Sequence, residues 1–254
     1  MKTIASTALP AHVQQPRYDR EQLRSRIVHF GFGAFHRAHQ ALLTNRVLNA
    51  RGGDWGICEI SLFSGDVLMR QLRAQDHLFT VLEKGAEGNQ PIIIGAVKEC
   101  LNAKLDSLAA IIEKFCEPQV AIVSLTITEK GYCIDPATGK LDMQNSRILH
   151  DLEHPSEPHS APGILVEALH RRRERGLPAF TVLSCDNIPD NGHVVKNAVL
   201  GMAGKRSAEL AAWIEAHVSF PGTMVDRIVP AATDASLAEI TRELGVEEIE
   251  RAHV

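Results

Sequence analysis

The sequence lacks most features that would assign a chain to a class at once. Its five cysteines (Cys58, Cys100, Cys116, Cys133 and Cys185) are scattered and form no Cys-x-x-Cys pair. That argues against a disulfide framework or a structural zinc and suits a reducing cytoplasm. No run approaches the ~18 apolar residues of a membrane-crossing helix. The stretch from Met1 to Gln15 lacks the long apolar segment of a secretion signal, and residues 1–20 read as a loose leader. Cationic excess is missing too: 27 Lys and Arg against 31 Asp and Glu leave a net charge of −4. Neither nucleic acid nor an anionic membrane surface is an expected partner. The basic run Arg171-Arg172-Arg173-Glu174-Arg175 closes a helical pattern, where cations favour the helix C-terminus and face solvent. Repeats and low-complexity tracts are absent. What remains is a 254-residue chain, 44% hydrophobic and 23% charged, able to bury a sizeable core.

Apolar patterning predicts strands alternating with helices. Ile27–Phe30 reads as a short buried strand ending at Gly31, and Phe35 to Ala50 carries helical spacing. Trp55–Phe63 is a second strand, followed by a short helix over Asp66–Gln75. Leu78–Glu83 and Ile92–Val97 resemble an inserted hairpin. Asp106–Phe115 is a helix with Asp106 as its N-cap. Val120–Ile127, rich in β-branched residues, reads as a strand covered on both faces. Pro136 to Pro162 is a polar, proline-bearing excursion. A helix over Gly163–Arg175, a strand over Phe180–Cys185 and helices near 192–203, 207–218 and 236–244 complete the chain, the last stopped by Gly245. Asp190 or Asn191 helps to start the first of these closing helices. The order implies an α/β fold with a doubly wound, mostly parallel sheet and helices on both faces.

Two segments carry the chemistry. Near the N-terminus the chain reads Arg26-Ile-Val-His-Phe-Gly31-Phe32-Gly33-Ala34-Phe35-His36-Arg37-Ala-His39. A glycine pair between a strand and a helix lets the chain bend tightly and lets backbone amides approach a pyrophosphate at the helix N-terminus. His36 stands where the generic fingerprint has its third glycine. Far downstream comes Phe220-Pro-Gly-Thr-Met-Val225-Asp226-Arg227-Ile-Val-Pro230. Together these segments resemble the polyol-specific long-chain (mannitol dehydrogenase) family, and the likeness covers nearly the whole chain.

The resemblance implies a Rossmann-like domain over residues 21–254, NAD as cofactor, and hydride exchange with a sugar acid or polyol. It places the cofactor along Gly31, Phe32, Gly33, Ala34, Phe35, His36 and Arg37, with His36 and Arg37 bordering the phosphates, and at Thr126. A metal role for His36 and His39 is not expected, because no third ligand has matching spacing and the family needs none. An acidic residue near the end of the second strand usually reads the adenosine ribose. Glu59 has the better spacing but lies mid-strand; Asp66, in the Ser64–Asp66 loop, is favoured. No Arg or Lys adjoins that loop in sequence until Arg70, which points to NAD over NADP.

For the substrate, the resemblance singles out Asn187, which helps hold the reacting oxygen, and Asp226, which lines the pocket; Arg227 ties the loop to its surroundings. Lys130 in Thr-Glu-Lys-Gly-Tyr resembles the mannonate-oxidising branch, where a cation can face a carboxylate. D-Mannonate/D-fructuronate is therefore the favoured pair. The alternatives are mannitol-type polyol oxidation and a non-catalytic nucleotide-binding module. The family's general base is the lysine of a Lys-x-x-x-x-Asn-x-x-His motif in a helical C-terminal domain. No lysine here is followed by Asn at the fifth and His at the eighth position. The expectation is that this domain is missing and that the chain alone turns over little.

Overall fold

A computed structural model describes residue 4 and residues 8–62, 64–85, 88–224, 229–230 and 233–245. Five parallel strands form the main sheet: β1 (Arg24–Phe30), β2 (Trp55–Ser61), β5 (Val97–Asn102), β6 (Ile122–Leu125) and β9 (Thr181–Ser184). Their order is β5-β2-β1-β6-β9. Parallel registers pair Ile27–Phe30 with Ile122–Leu125, and those with Thr181–Ser184. This is the doubly wound arrangement expected from the alternation of strands and helices.

The chain divides into two compact units. The first comprises Met1–Arg26, Gly31–Leu105 and Asp226–Val254. It holds α1 (Ala34–His36), continued through a π-helical turn (Arg37–Ala41) into α2 (Leu42–Arg51), then α3 (Asp66–Ala74) and α4 (Ala103–Asp106). The antiparallel hairpin β3 (Phe79–Gly85) and β4 (Gly88–Ile94) belongs here, as does α10 (Asp234–Leu244). Described residues of the stretch expected to be a loose leader make tertiary contacts. Ile4 and Val13 are buried with Leu82, Ile93, Ile240 and Leu244, and Gln14 exchanges backbone bonds with Pro91 and Ile93. Burying such side chains contributes about 1.5–3 kcal/mol each.

The second unit comprises Ile27–Phe30 and Asp106–Val225. It contains α5 (Leu108–Phe115), the small hairpin β7 (Ile134–Asp135) and β8 (Lys140–Leu141), α6 (Ser146–Glu153), α7 (Ala161–Glu174), α8 (Asn191–Arg206) and α9 (Ala208–His217). On β6, Val123, Ser124 and Leu125 are all fully buried, so the strand is covered on both faces as its composition suggests.

Four local expectations need correction. β5 was concealed because the hairpin reading took Val97; the strand carries Lys98 and Glu99 at the sheet edge and lacks a continuous apolar run. The cap of α5 is Ser107, whose hydroxyl accepts from the Ala110 amide, while Asp106 ends α4. The polar excursion contains a real helix, α6, capped by Asn145. Arg172 does not face solvent. It is fully buried and donates to the carbonyls of Phe115, Glu117, Val120 and Pro178, with its guanidinium 5.5 Å from the Phe180 ring centre.

Candidate functional site

The first unit contributes the turn after β1. Gly31 has φ +104°, a region that side chains rarely enter, and its amide donates to the Ile60 carbonyl. Gly33 is different. Its φ of −89° and ψ of 169° are ordinary extended values, and a Cβ there would meet only the Gly31 carbonyl oxygen, 3.9 Å away. Nothing among the described residues requires glycine at 33, yet it caps a helix, where Ser, Asp or Asn would serve better. Space kept clear beside a helix N-terminus is what an approaching phosphate group needs.

Side chains flanking this turn point into the protein. Phe32 is buried and meets Phe79 edge-on, ring centres 5.6 Å apart. Arg37 is buried too, its guanidinium 5.1 Å from the Phe32 ring centre. His36 is fully enclosed, with Nε2 2.7 Å from Glu59 Oε1. Burial, reinforced by the nearby Arg37 and His39, holds the His36 imidazole well below its ordinary pKa and therefore neutral. The side chains of His36 and Arg37, the residues expected to border the phosphates, thus both pack inward. Ala34 and Phe35 are half-buried, Phe35 stacking on His39.

The same contact involves one of the two acidic candidates. Glu59 is fully buried against His36, so its carboxylate is committed to the interior. Asp66 opens α3 just past the left-handed Gly65. Its carboxylate lies 3.0 Å from Lys104 Nζ, and that bond holds the carboxyl below the usual carboxylate range. A cation therefore does adjoin the loop, brought there from the end of β5.

The second unit supplies a polar network at its strand ends. Thr126 follows β6; its amide donates to Phe30 O, and its hydroxyl lies 2.9 Å from His29 Nε2. The next two amides, Ile127 and Thr128, donate to the two carboxylate oxygens of Asp186 at 3.0 and 2.9 Å. Thr128 has φ +64°, a strained value for a β-branched residue, and the carboxylate clamp holds it there. Tyr132 OH donates to Asp186 Oδ2 and meets Ser184 Oγ, both at 2.6 Å. Burial, then the Asp186 charge, raises the Tyr132 pKa strongly, so the phenol stays a donor.

This clamp ties the segment carrying Lys130 to the segment carrying Asn187, and both of those side chains are exposed. Asn191 Nδ2 bonds Asp186 O and both oxygens of Thr223, and its Oδ1 accepts the Thr223 amide. The signature segment is thereby fastened next to the Asp186 loop as far as residue 224. Asp226 and Arg227 lie outside the described residues. Asp190 takes the N-cap position of α8 without a side-chain cap bond, bonding His193 instead. Asp186, Tyr132, Ser184 and Lys104 had no assigned role in the sequence; their contacts join residues far apart in the chain.

With a doubly wound sheet, a glycine turn at its first strand and polar loops at the later strand ends, the fold and site define a nucleotide-binding dehydrogenase-type domain. The family description Mannitol dehydrogenase Rossmann domain matches residues 25–250, and the chain belongs to that family. It is 84% identical over 246 residues to the Uncharacterized oxidoreductase YeiQ of Escherichia coli (strain K12), covering 97% of this chain and 50% of that protein. It is 56% identical over 248 residues to the D-mannonate oxidoreductase of the same organism, covering 97% and 51%. A solved Pseudomonas fluorescens mannitol 2-dehydrogenase, a ternary complex with NAD and D-mannitol, superposes with a TM-score of 0.92 at 44% identity. That match covers 96% of this chain and 50% of the other. The chain spans about half the length of the relatives it matches. Among the described residues no helix is long and apolar enough to cross a membrane.

Proposed function

We propose that this chain is the NAD-binding part of an oxidoreductase that exchanges hydride with a sugar acid, D-mannonate/D-fructuronate being the favoured pair. The observation that carries the nucleotide reading is Gly33, a glycine that neither the backbone conformation nor any described neighbour demands. In this reading the helix N-terminus that follows Gly33 receives the pyrophosphate, Asp66 reads the adenosine ribose, and Thr126 borders the cofactor. When bound, the nicotinamide accepts or returns the hydride.

Asn187 is assigned to donate to the substrate oxygen, Lys130 to face the substrate carboxylate, and Asp226 to line the pocket. A preorganised donor such as Asn187 contributes on the order of several kcal/mol where charge develops. Removing the alcohol proton needs a base, and the lysine motif the family uses for it does not occur in this sequence. The role proposed for these residues is therefore binding and orientation, without appreciable turnover by them alone. The 56% identity to a D-mannonate oxidoreductase and the exposed Lys130 support an acidic substrate. The mannitol-bound structural relative favours a second reading, a neutral polyol.

NADH fluorescence titration tests the nucleotide reading. The chain should bind NADH, and Gly33→Asp should weaken binding by at least about tenfold by placing an anion against the pyrophosphate. Equal binding by both forms removes the assignment.

A further inference from the structure

We infer that Lys104, assisted by Arg70, is a second determinant of coenzyme choice: a cation placed to receive the 2′-phosphate of NADP and neutralised in the native chain by Asp66. The inference rests on the reading of Asp66 given above and adds the residues that act against it.

The pairing is built into the fold. Asp66 and Lys104 lie on α3 and α4, following different strands, and meet at 3.0 Å. One buried side chain braces both partners. Asn102 Oδ1 accepts the Lys104 amide at 2.9 Å, and Asn102 Nδ2 donates to the Ser64 carbonyl at 3.1 Å. The same carbonyl accepts the Ser61 hydroxyl, and Gly65, at φ +76°, turns the chain from there directly into Asp66. Lys104 therefore meets the loop as a fixed neighbour. Its side chain remains 57% exposed, so a ligand can reach the ammonium. Arg70, one turn after Asp66 on α3, is exposed and adds its charge to the field at the same carboxylate.

The chemistry follows from charge. A ribose 2′,3′-diol donates to a carboxylate and makes no demand on the cations. A 2′-phosphate dianion is repelled by Asp66 but attracted by Lys104 and Arg70, so the native loop rejects NADP less strictly than a bare acid would. Removing Asp66 both ends the repulsion and frees Lys104. One substitution should then reverse the preference, without any cation being introduced.

Equilibrium titration of NADH and NADPH into the 254-residue chain and three variants tests this, with a thermal melt confirming that each variant is folded. Asp66→Ala should tighten NADPH binding by about tenfold or more. Adding Lys104→Ala to it should bring NADPH back to within about threefold of the native value, and Lys104→Ala alone should weaken NADPH binding by about threefold or more. The Asp66→Ala gain should shrink at about 0.5 M salt, because an exposed cation–phosphate contact is screened. If the double variant fails to fold, Lys104→Gln in its place carries the same expectation. NADPH binding that stays equally tight with and without Lys104 overturns the inference while leaving the Asp66 reading intact. Unchanged affinity of Asp66→Ala for both nucleotides overturns the Asp66 reading and the inference with it.

Discussion

The turn after β1 and the loop after β6 both carry the chain off a parallel strand, and they treat backbone polar groups in opposite ways. At the glycine turn the side chains withdraw: Phe32, His36 and Arg37 are buried, and Gly33 leaves the helix N-terminus uncovered. After β6 a side chain takes the backbone for itself, as Asp186 occupies the amides of Ile127 and Thr128. Arg172 does the same for carbonyls elsewhere in that unit. Backbone groups satisfied internally hold shape, whereas groups left open can serve a ligand. The first segment keeps a helix N-terminus clear of side chains, and the second spends its amides on holding a strained loop.

The comparison breaks first where the internal satisfaction is greatest. Arg172→Met keeps much of the volume but strands four carbonyls, each a buried acceptor whose loss of partner is costly. A destabilisation of about 3 kcal/mol or more is expected, read as a lowered urea midpoint. An effect under about 1 kcal/mol would place the arginine with ordinary surface cations.

Asp186→Ala is the next test. Three donors lose their acceptor and Thr128 loses the clamp on its positive φ, so roughly 2–3 kcal/mol of stability should go. NADH affinity should change far less than it does in Gly33→Asp. If NADH binding fell as steeply while stability held, the clamp would be part of the nucleotide site and the contrast would fail.

A smaller effect belongs to the buried His36. Its folded pKa lies below its unfolded value of about 6.5, so the unfolded chain binds more protons as pH falls. The stabilising contribution is complete above the unfolded pKa and declines below it. Between pH 7.5 and 5.5 the loss should be on the order of 1 kcal/mol. Urea titrations at both values should show that loss in the native chain and a reduced one in His36→Gln. Identical pH dependence in the two proteins would mean that His36 is not held neutral.

The glycine turn was legible because its information is local: an apolar run, two glycines and helical spacing lie within adjacent residues. The closing of α10 at Gly245 was legible for the same reason, with the left-handed glycine where the pattern stops. Contacts between distant residues were not. Lys104 lies 38 positions from Asp66 and Asp186 lies 58 from Thr128, so proximity depends on strand order, which no local pattern encodes. Glu59 had the right spacing for a ribose-binding acid, but only the fold reveals that it faces His36. Arg172 was misread because charge composition says nothing about which arginine of a run turns inward. β5 was hidden by its edge position and its charged residues.

In the function proposed above, Gly33 serves a ligand and not the fold. Gly33→Ser tests it most directly, because serine is a favoured N-cap whose side chain would fill the space kept clear. The variant's thermal midpoint should equal or exceed that of the native chain, with NADH binding weakened by about tenfold. A lowered midpoint with unchanged NADH affinity would contradict it.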